Sequence, residues 1–348
     1  GSEAALKYVL FGAACTAVMV WGMSMLYGLY GTLQVEQIAP RLAEGGGVPM
    51  ALGLAGLLVG IGFKISLVPL HLWCPDVFEG ASIEVAAFLS VASKGAGLVL
   101  LLRTLMLMAA SAGFEGREVV AMALVVGLLG AATATVGNAA ALVQRGVKRM
   151  LAYSSIAHAG YMLCLLSLLV GTAGGSMAQE ASRALLLYLA VYLFMNLGAF
   201  AVAGLVEGAT GSTDLPNFAG LGRRSPVAAL GLAACLFSLV GLPPFAGFVA
   251  KLTVMATLGA AGAWWWALVA LIGANTVVSL YYYVRVVKVM YLDASEAPPL
   301  SPRPLASGLA LACGVVLVGL MLAWDPLLRL AGGHSRLELP PPAAARPH

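Results

Sequence analysis

Long apolar runs separated by short polar interruptions dominate the chain. A run of about 20 apolar residues has the length of a membrane-crossing helix. Such runs fall at about 4–30, 50–78, 83–110, 119–143, 149–171, 182–206, 226–258, 264–291 and 305–330, which predicts nine spans. Two of them, 50–78 and 226–258, are too long for one straight crossing and carry prolines inside: Pro69 with Pro75, and Pro243 with Pro244. Proline removes a helical hydrogen bond and clashes with the preceding turn. In lipid the freed carbonyls must be satisfied by protein or trapped water, so both runs are predicted to be broken helices. The breaks resemble each other, "SLVPLHLW" (66–73) against "SLVGLPPFAGF" (238–248), and the following spans end in "GLVLLLR" (97–103) and "SLYYYVR" (279–285). The breaks lie five spans apart, an odd offset that inverts one copy relative to the other. Inverted repeats with interrupted helices point to the ion path of a transporter.

Composition agrees with an integral membrane protein. The chain is 61% hydrophobic and 10% charged, where soluble domains carry about 25% charged residues, and its mean hydropathy is +0.95. The net charge of +4 is spread between spans and gives no case for nucleic-acid binding. Cys15, Cys74, Cys164, Cys235 and Cys313 are scattered without a C-x-x-C pair, so disulfide, zinc and iron–sulfur readings lack support. The opening "GSEAALKYVLFGA" has no small-residue cleavage site, so no cleavable signal is expected. One set of alternate loops holds Arg145, Lys148, Arg149, Arg223, Arg224 and Arg303, with Arg285 and Lys288 near that end. The other holds Arg41, Arg117, Arg183, Arg329, Arg336 and Arg346. The excess on the first side places it in the cytoplasm. The Pro/Ala-rich end "LPPPAAARPH" (339–348) reads as disordered.

Six lysines occur in all. Lys148 and Lys288 lie at span ends, where ammonium groups are expected to reach water. Lys94 lies eleven residues into its span, about 17 Å deep. Lys64 comes five residues before Pro69 and Lys251 seven after Pro244, each within a turn or two of a break. A charge at the centre of a span costs about 2.5–3.5 kcal/mol. One such lysine is explained by an interhelical hydrogen bond; three, two of them beside breaks, point to proton transfer. Lysine suits this role because, unlike arginine, it can lose its proton when buried. Histidine titrates near neutrality, and four are present: His71 after the first break, His158 in the fifth span, and His334 and His348 in the tail. His158 reads equally as a hydrogen-bonded core residue, but "YSSIAHAGY" (153–161) surrounds it with hydroxyls.

Three stretches carry a family resemblance: "GFKISLVPLHLWCPDVFEGASIEVAAFLSVASKGAGLVLLLR" (62–103), "VKRMLAYSSIAHAGYM" (147–162) and "GLPPFAGFVAKL" (241–252). They resemble the N-type antiporter-like subunits of proton-pumping NADH:quinone oxidoreductase, respiratory complex I. The resemblance implies an all-α polytopic fold of about nine helices with an antiporter-like inverted repeat. Residues 1–330 would form the transmembrane domain: 1–110 the end of an incomplete first repeat, 119–291 the second repeat and 305–330 the last helix, followed by a disordered tail, 331–348. Only the C-terminal part of a longer family pattern is matched, so N-terminal spans are expected to be missing. By resemblance, Lys64 is the lysine of the first broken helix, Lys94 the central connecting lysine and Lys251 the lysine of the second broken helix, with Lys7 a further family lysine; His158, read from its own hydroxyl-rich surroundings, joins them as a relay group. Three positions depart from the pattern: Cys74 stands where Thr is usual, and Ser82 and Glu84 stand where prolines are usual. Ser82 can instead cap the third span, with Glu84 favourable in its first turn.

The implied function is proton translocation in the membrane arm of that oxidoreductase, in the inner membrane of a bacterium. Neighbouring antiporter-like subunits and lipid are the implied partners. This chain would bind no cofactor itself: NADH, FMN, iron–sulfur clusters and quinone belong to partner subunits. A subunit of a multi-subunit cation/proton antiporter and a structural membrane scaffold are the competing classes. The stretch "WCPDVFEGA" (73–81) favours the redox-driven complex over the first, and the buried lysines argue against the second.

Overall fold

An apolar segment crosses lipid only when its backbone hydrogen bonds close within it, and the runs free of internal proline do this by forming long helices. The computed structural model describes residues 1–44, 46–111, 117–171, 176–295 and 304–334. Its helices in chain order are α1 (Ser2–Tyr30), α2 (Val35–Ile38), α3 (Gly47–Ile65), α4 (Trp73–Gly80), α5 (Ile83–Phe88), α6 (Lys94–Ser111), α7 (Arg117–Leu142), α8 (Val147–Gly171) and α9 (Ser176–Thr210). There follow α10 (Leu221–Arg224), α11 (Pro226–Val240), α12 (Ala246–Ala260), α13 (Trp265–Leu292), α14 (Pro304–Leu322) and α15 (Trp324–His334). A single isolated bridge, Gly146 to Asp214, is the one extended pairing among the described residues.

Among the described residues, eight helical stretches are long and apolar enough to cross a membrane: α1, α3, α5 with α6, α7, α8, α9, α13 and α14. The half-length helices α11 and α12 together cover the remaining predicted run, 226–258. Two ends differ from expectation. The 35-residue α9 is about 52 Å long and overruns its predicted span, 182–206, at both ends. The last run is divided at Ala323, and α15 continues to His334, so 331–334 are helical and not part of a disordered tail. Residues 335–348, with Arg336, Arg346 and His348, and Arg303 lie outside the described residues.

Both breaks are present, and each helix stops before its proline is reached. After α3, Ser66 turns left-handed (φ 58°). Its N–H donates to Phe63 O at 3.1 Å and Leu67 N–H to Gly62 O at 2.8 Å. After α11, Gly241 turns left-handed (φ 89°), Gly241 N–H donates to Ser238 O and Leu242 N–H to Phe237 O, both at 3.0 Å. This is one C-terminal stop used twice, a left-handed residue with two back-donated bonds and a proline shortly beyond. The matching S-L-V strings do not occupy equivalent positions, because Ser66 is the turning residue and Ser238 lies in the last turn of α11. Pro75 breaks nothing; it falls in the first turn of α4, where a missing N–H costs nothing.

The centre of the bundle is α8. Its most apolar stretch is 94% buried, against 17–56% for the other long helices. It meets α7 across small residues: a methyl on Gly160 would lie 2.3 Å from Ala134 N, and one on Gly137 would lie 2.6 Å from Ala157 N. Such backbone contact is the usual device for joining helices in lipid. It also places the polar residues of α8 within reach of several helices at once.

Candidate functional site

Lys94 opens α6, and the turn before it, Leu89–Ser93, is a π-helical segment. Such segments concentrate at functional sites, and here the insertion sits immediately ahead of the lysine. The side chain is 1% exposed. Its ammonium donates to Ser155 Oγ on α8 and to Cys74 Sγ on α4 at 3.6 Å, and lies 5.5 Å above the centre of the Phe78 ring.

From Ser155 the polar file continues along α8 at three-residue steps, to His158 and then Tyr161, positions that share one side of a helix. The rise from Ser155 to Tyr161 is about 9 Å. His158 is 1% exposed. Its Nδ1 shares a 2.8 Å hydrogen bond with the Tyr188 hydroxyl of α9, and the ring packs against Tyr161, Tyr188 and Tyr192. Both Lys94 and Lys251 act on it electrostatically, and it also faces the backbone carbonyl of Leu239.

That same carbonyl holds Lys251. The ammonium donates to Leu239 O at 2.9 Å and to Val240 O at 2.8 Å, the last carbonyls of α11. A helix end leaves such carbonyls without partners and concentrates about half a negative charge there. The break thus creates the acceptor that receives the lysine. The ammonium also lies 5.2 Å from the centre of the Tyr161 ring, and the residue is 5% exposed.

The structure brings together Lys94, His158 and Lys251, and it does not bring Lys64 to them. Lys64, expected inside the membrane bundle, is exposed one residue before the end of α3. Its ammonium reaches the Tyr8 hydroxyl at 3.3 Å and the Tyr8 and Phe63 rings at 5.8 and 5.9 Å. The reason is position: among the described residues, α1 and α3 form the edge of the bundle on this side. His71, in the segment between α3 and α4, is 9% exposed and lies within the electrostatic reach of Lys94.

Lys7 belongs to a different arrangement. It pairs with Asp76 at 2.6 Å and Glu3 at 2.9 Å, while Arg149 joins Asp76 at 2.9 Å and Glu79 at 2.5 Å. This partly exposed cluster ties α1, α4 and α8 together around a cavity of about 360 Å³. Lys148, expected to reach water, is instead 1% exposed. It donates to Ala81 O at 2.7 Å and pairs with Glu207 at 2.9 Å, because the overlong α9 carries Glu207 back over the start of α8. Ser82 does stand at the N-cap of α5 with Glu84 in the first turn, but its side chain makes no capping bond. Cations differ in whether a carboxylate answers them. Lys7, Arg103, Lys148 and Arg149 have carboxylate partners, whereas among the described residues Lys64, Lys94 and Lys251 have none. No ion pair has to break when these three gain or lose a proton.

Sequence reasoning missed a second buried polar group. Asn138 on α7 donates from Nδ2 to the Tyr161 hydroxyl at 2.8 Å and to Asn275 Oδ1 on α13 at 3.0 Å. Its Oδ1 accepts from the Tyr282 hydroxyl at 3.0 Å. Single asparagines inside apolar runs were the available signal, since an amide in lipid must find a partner. Among the described residues no group of three or more His, Cys, Asp or Glu is placed to hold a metal ion.

Residues 1–277 match the family described as "NADH:quinone oxidoreductase/Mrp antiporter, TM". The chain is 43% identical over 336 residues to NADH-quinone oxidoreductase subunit N 2 of Sorangium cellulosum, covering 94% of this chain and 65% of that protein. It is 42% identical over 352 residues to NADH-quinone oxidoreductase subunit N of Anaeromyxobacter sp., covering 94% and 66%. It thus spans slightly under two thirds of the length of these curated relatives. Among solved structures it is similar to a chain of respiratory complex I from Thermus thermophilus with bound aureothin. The TM-score there is 0.76 at 35% identity, covering 94% of this chain and 68% of that one.

Proposed function

Since the chain belongs to the NADH:quinone oxidoreductase/Mrp antiporter transmembrane family, we propose that it is an N-type, proton-translocating subunit in the membrane arm of an NADH:quinone oxidoreductase. It contributes to the enzyme as a translocase and carries no redox group. Quinone reduction and the NADH, FMN and iron–sulfur chemistry belong to partner subunits, and its own neighbours are antiporter-like membrane subunits and lipid. The observation that carries this reading is the file of Lys94, Ser155, His158, Tyr161 and Lys251. Two buried ammonium groups without carboxylate partners meet opposite ends of one polar stripe on the most buried helix. Water and hydroxyl groups bridge the remaining steps. Lys64 serves as the loading group at the first break and Lys251 as the discharging group at the second, the two breaks being related as an inverted repeat.

Replacing Lys94 with alanine tests the relay. In membranes holding the assembled complex, proton translocation and the NADH oxidation coupled to it are expected to fall together, as the central donor to Ser155 is gone. Parental rates in assembled Lys94→Ala membranes would show that no proton passes this way.

A further inference from the structure

The Asn138 group is not explained by conduction. Its amide nitrogen already serves Ala134 O, the Tyr161 hydroxyl and Asn275 Oδ1, and its oxygen is occupied by Tyr282. Asn275 is tied in turn to Thr135 Oγ1 at 3.2 Å and to Leu271 O at 3.0 Å. An amide so engaged has no free position to take up or pass a proton. It does have the makings of a clamp. Asn275 and Tyr282 of α13 fix Asn138 of α7, and Asn138 in turn donates to one hydroxyl of α8, that of Tyr161, which is itself 1% exposed.

The clamped ring stands between two members of the relay. One side faces Lys251, whose ammonium lies 5.2 Å from the ring centre. His158 meets the ring edge-on, with centres 5.5 Å apart. An ammonium has three N–H donors. Two of those on Lys251 are taken by Leu239 O and Val240 O, which leaves the third for the ring. A π face attracts a cation, so an ammonium is held there; a neutral amine would turn its lone pair to that face, and the attraction would vanish.

Building on the relay reading, we propose that Tyr161 is the positioning residue of Lys251. Its ring face holds the ammonium on the side of the third N–H, and the Asn138–Asn275–Tyr282 clamp keeps the ring in place. The proton that Lys251 exchanges is thereby selected: the two N–H groups bonded to carbonyls stay, and the third proton passes to a bridging water, leaving a neutral amine with its lone pair at that position.

The test compares Tyr161→Phe, Tyr161→Leu and Lys251→Ala in native membranes, with assembly checked by native gel electrophoresis and NADH-driven proton translocation followed by a pH-sensitive dye. Tyr161→Met replaces the leucine variant if that one does not assemble. Phenylalanine keeps the face and loses only the bond to Asn138, so its initial rate is expected to stay within about twofold of the parent. Leucine removes the face and is expected to lower the rate at least about tenfold, within the scale of a desolvated cation–π contact. Rescue by phenylalanine is the signature, because a purely structural role of the hydroxyl network impairs both variants alike. Equal impairment of both, or a parental rate in leucine, overturns the proposal while Lys251→Ala remains defective. A parental rate in Lys251→Ala overturns the relay reading itself, and the positioning role with it.

Discussion

The seating of α12 on α11 offers the most direct test of the second break. A methyl group at Gly247 would lie 1.8 Å from Ser238 O and 2.7 Å from Ser238 C. Reaching the shortest separation that real side chains show, 3.0 Å, requires a shift of about 1.2 Å (3.0 minus 1.8), and the obstacle is backbone. Ser238 directly precedes Leu239 and Val240, whose carbonyls hold Lys251 at 2.9 and 2.8 Å. A 1.2 Å opening carried to Lys251 stretches these bonds to about 4 Å, past the range of a hydrogen bond. The Gly247 N–H bond to Ser238 Oγ, now 3.1 Å, is strained by the same motion. Overpacking of this kind costs about 1–3 kcal/mol. Gly247→Ala is therefore expected to lower both the thermal midpoint of the detergent-solubilised protein and NADH-driven proton translocation in assembled membranes. Gly308→Ala, where an added methyl meets nothing within 4 Å, serves as the control. If Gly247→Ala matches Gly308→Ala in both measurements, the break does not depend on this contact and the account of how Lys251 is held is wrong.

Three further outcomes are expected. Lys148→Met leaves Ala81 O and Glu207 without their buried donor and should destabilise the fold by about 1–3 kcal/mol; an unchanged thermal midpoint would refute the inter-helix role of that lysine. Cys74→Val deprives Lys94 of its second polar partner, so proton translocation should drop, whereas Cys74→Thr should retain it; initial rates in membranes decide, and equal rates in both would remove Cys74 from the site. Arg149→Ala loses the contacts to Asp76 and Glu79, and because these groups are partly exposed the loss should stay below about 1 kcal/mol. The gap in thermal midpoint between that variant and the parent should narrow as salt rises, and a salt-independent gap would mean that packing is lost instead of charge pairing.

Much of the helical layout was legible because it rests on local physics. Apolar run lengths located the crossings, and proline inside two overlong runs located the breaks. Lys94 and Lys251 stood out because an ammonium in an apolar run is expensive wherever the chain folds. What escaped the sequence depended on partners far along it. Lys148 lies at a helix start, a position that normally faces water, and is buried because Glu207 arrives 59 residues later. Lys64 is equally deep in its run, yet whether it is covered depends on which helices pack beside α3. The π-helical turn before Lys94 has no residue signature in "LSVAS" (89–93), and it was not anticipated. The stop at Ser66 was also hidden, as serine rarely adopts the left-handed conformation found there.

The carbonyl cradle of Lys251 has a consequence for how the protein signals. Where a carboxylate answers a lysine, protonation moves the site between neutral and negative, and the field felt elsewhere is muted by the fixed partner. Here the partner is the end of a helix, a dipole that decays quickly with distance, so on the proposed relay the site alternates between a net positive charge and none. At about 10 Å and an effective dielectric near 20, one such charge contributes about 1.7 kcal/mol. That is enough to bias the occupancy of a neighbouring amine more than tenfold. On that relay, arrival of a proton at one lysine is announced to the next through the field alone, and the helices between them can stay still.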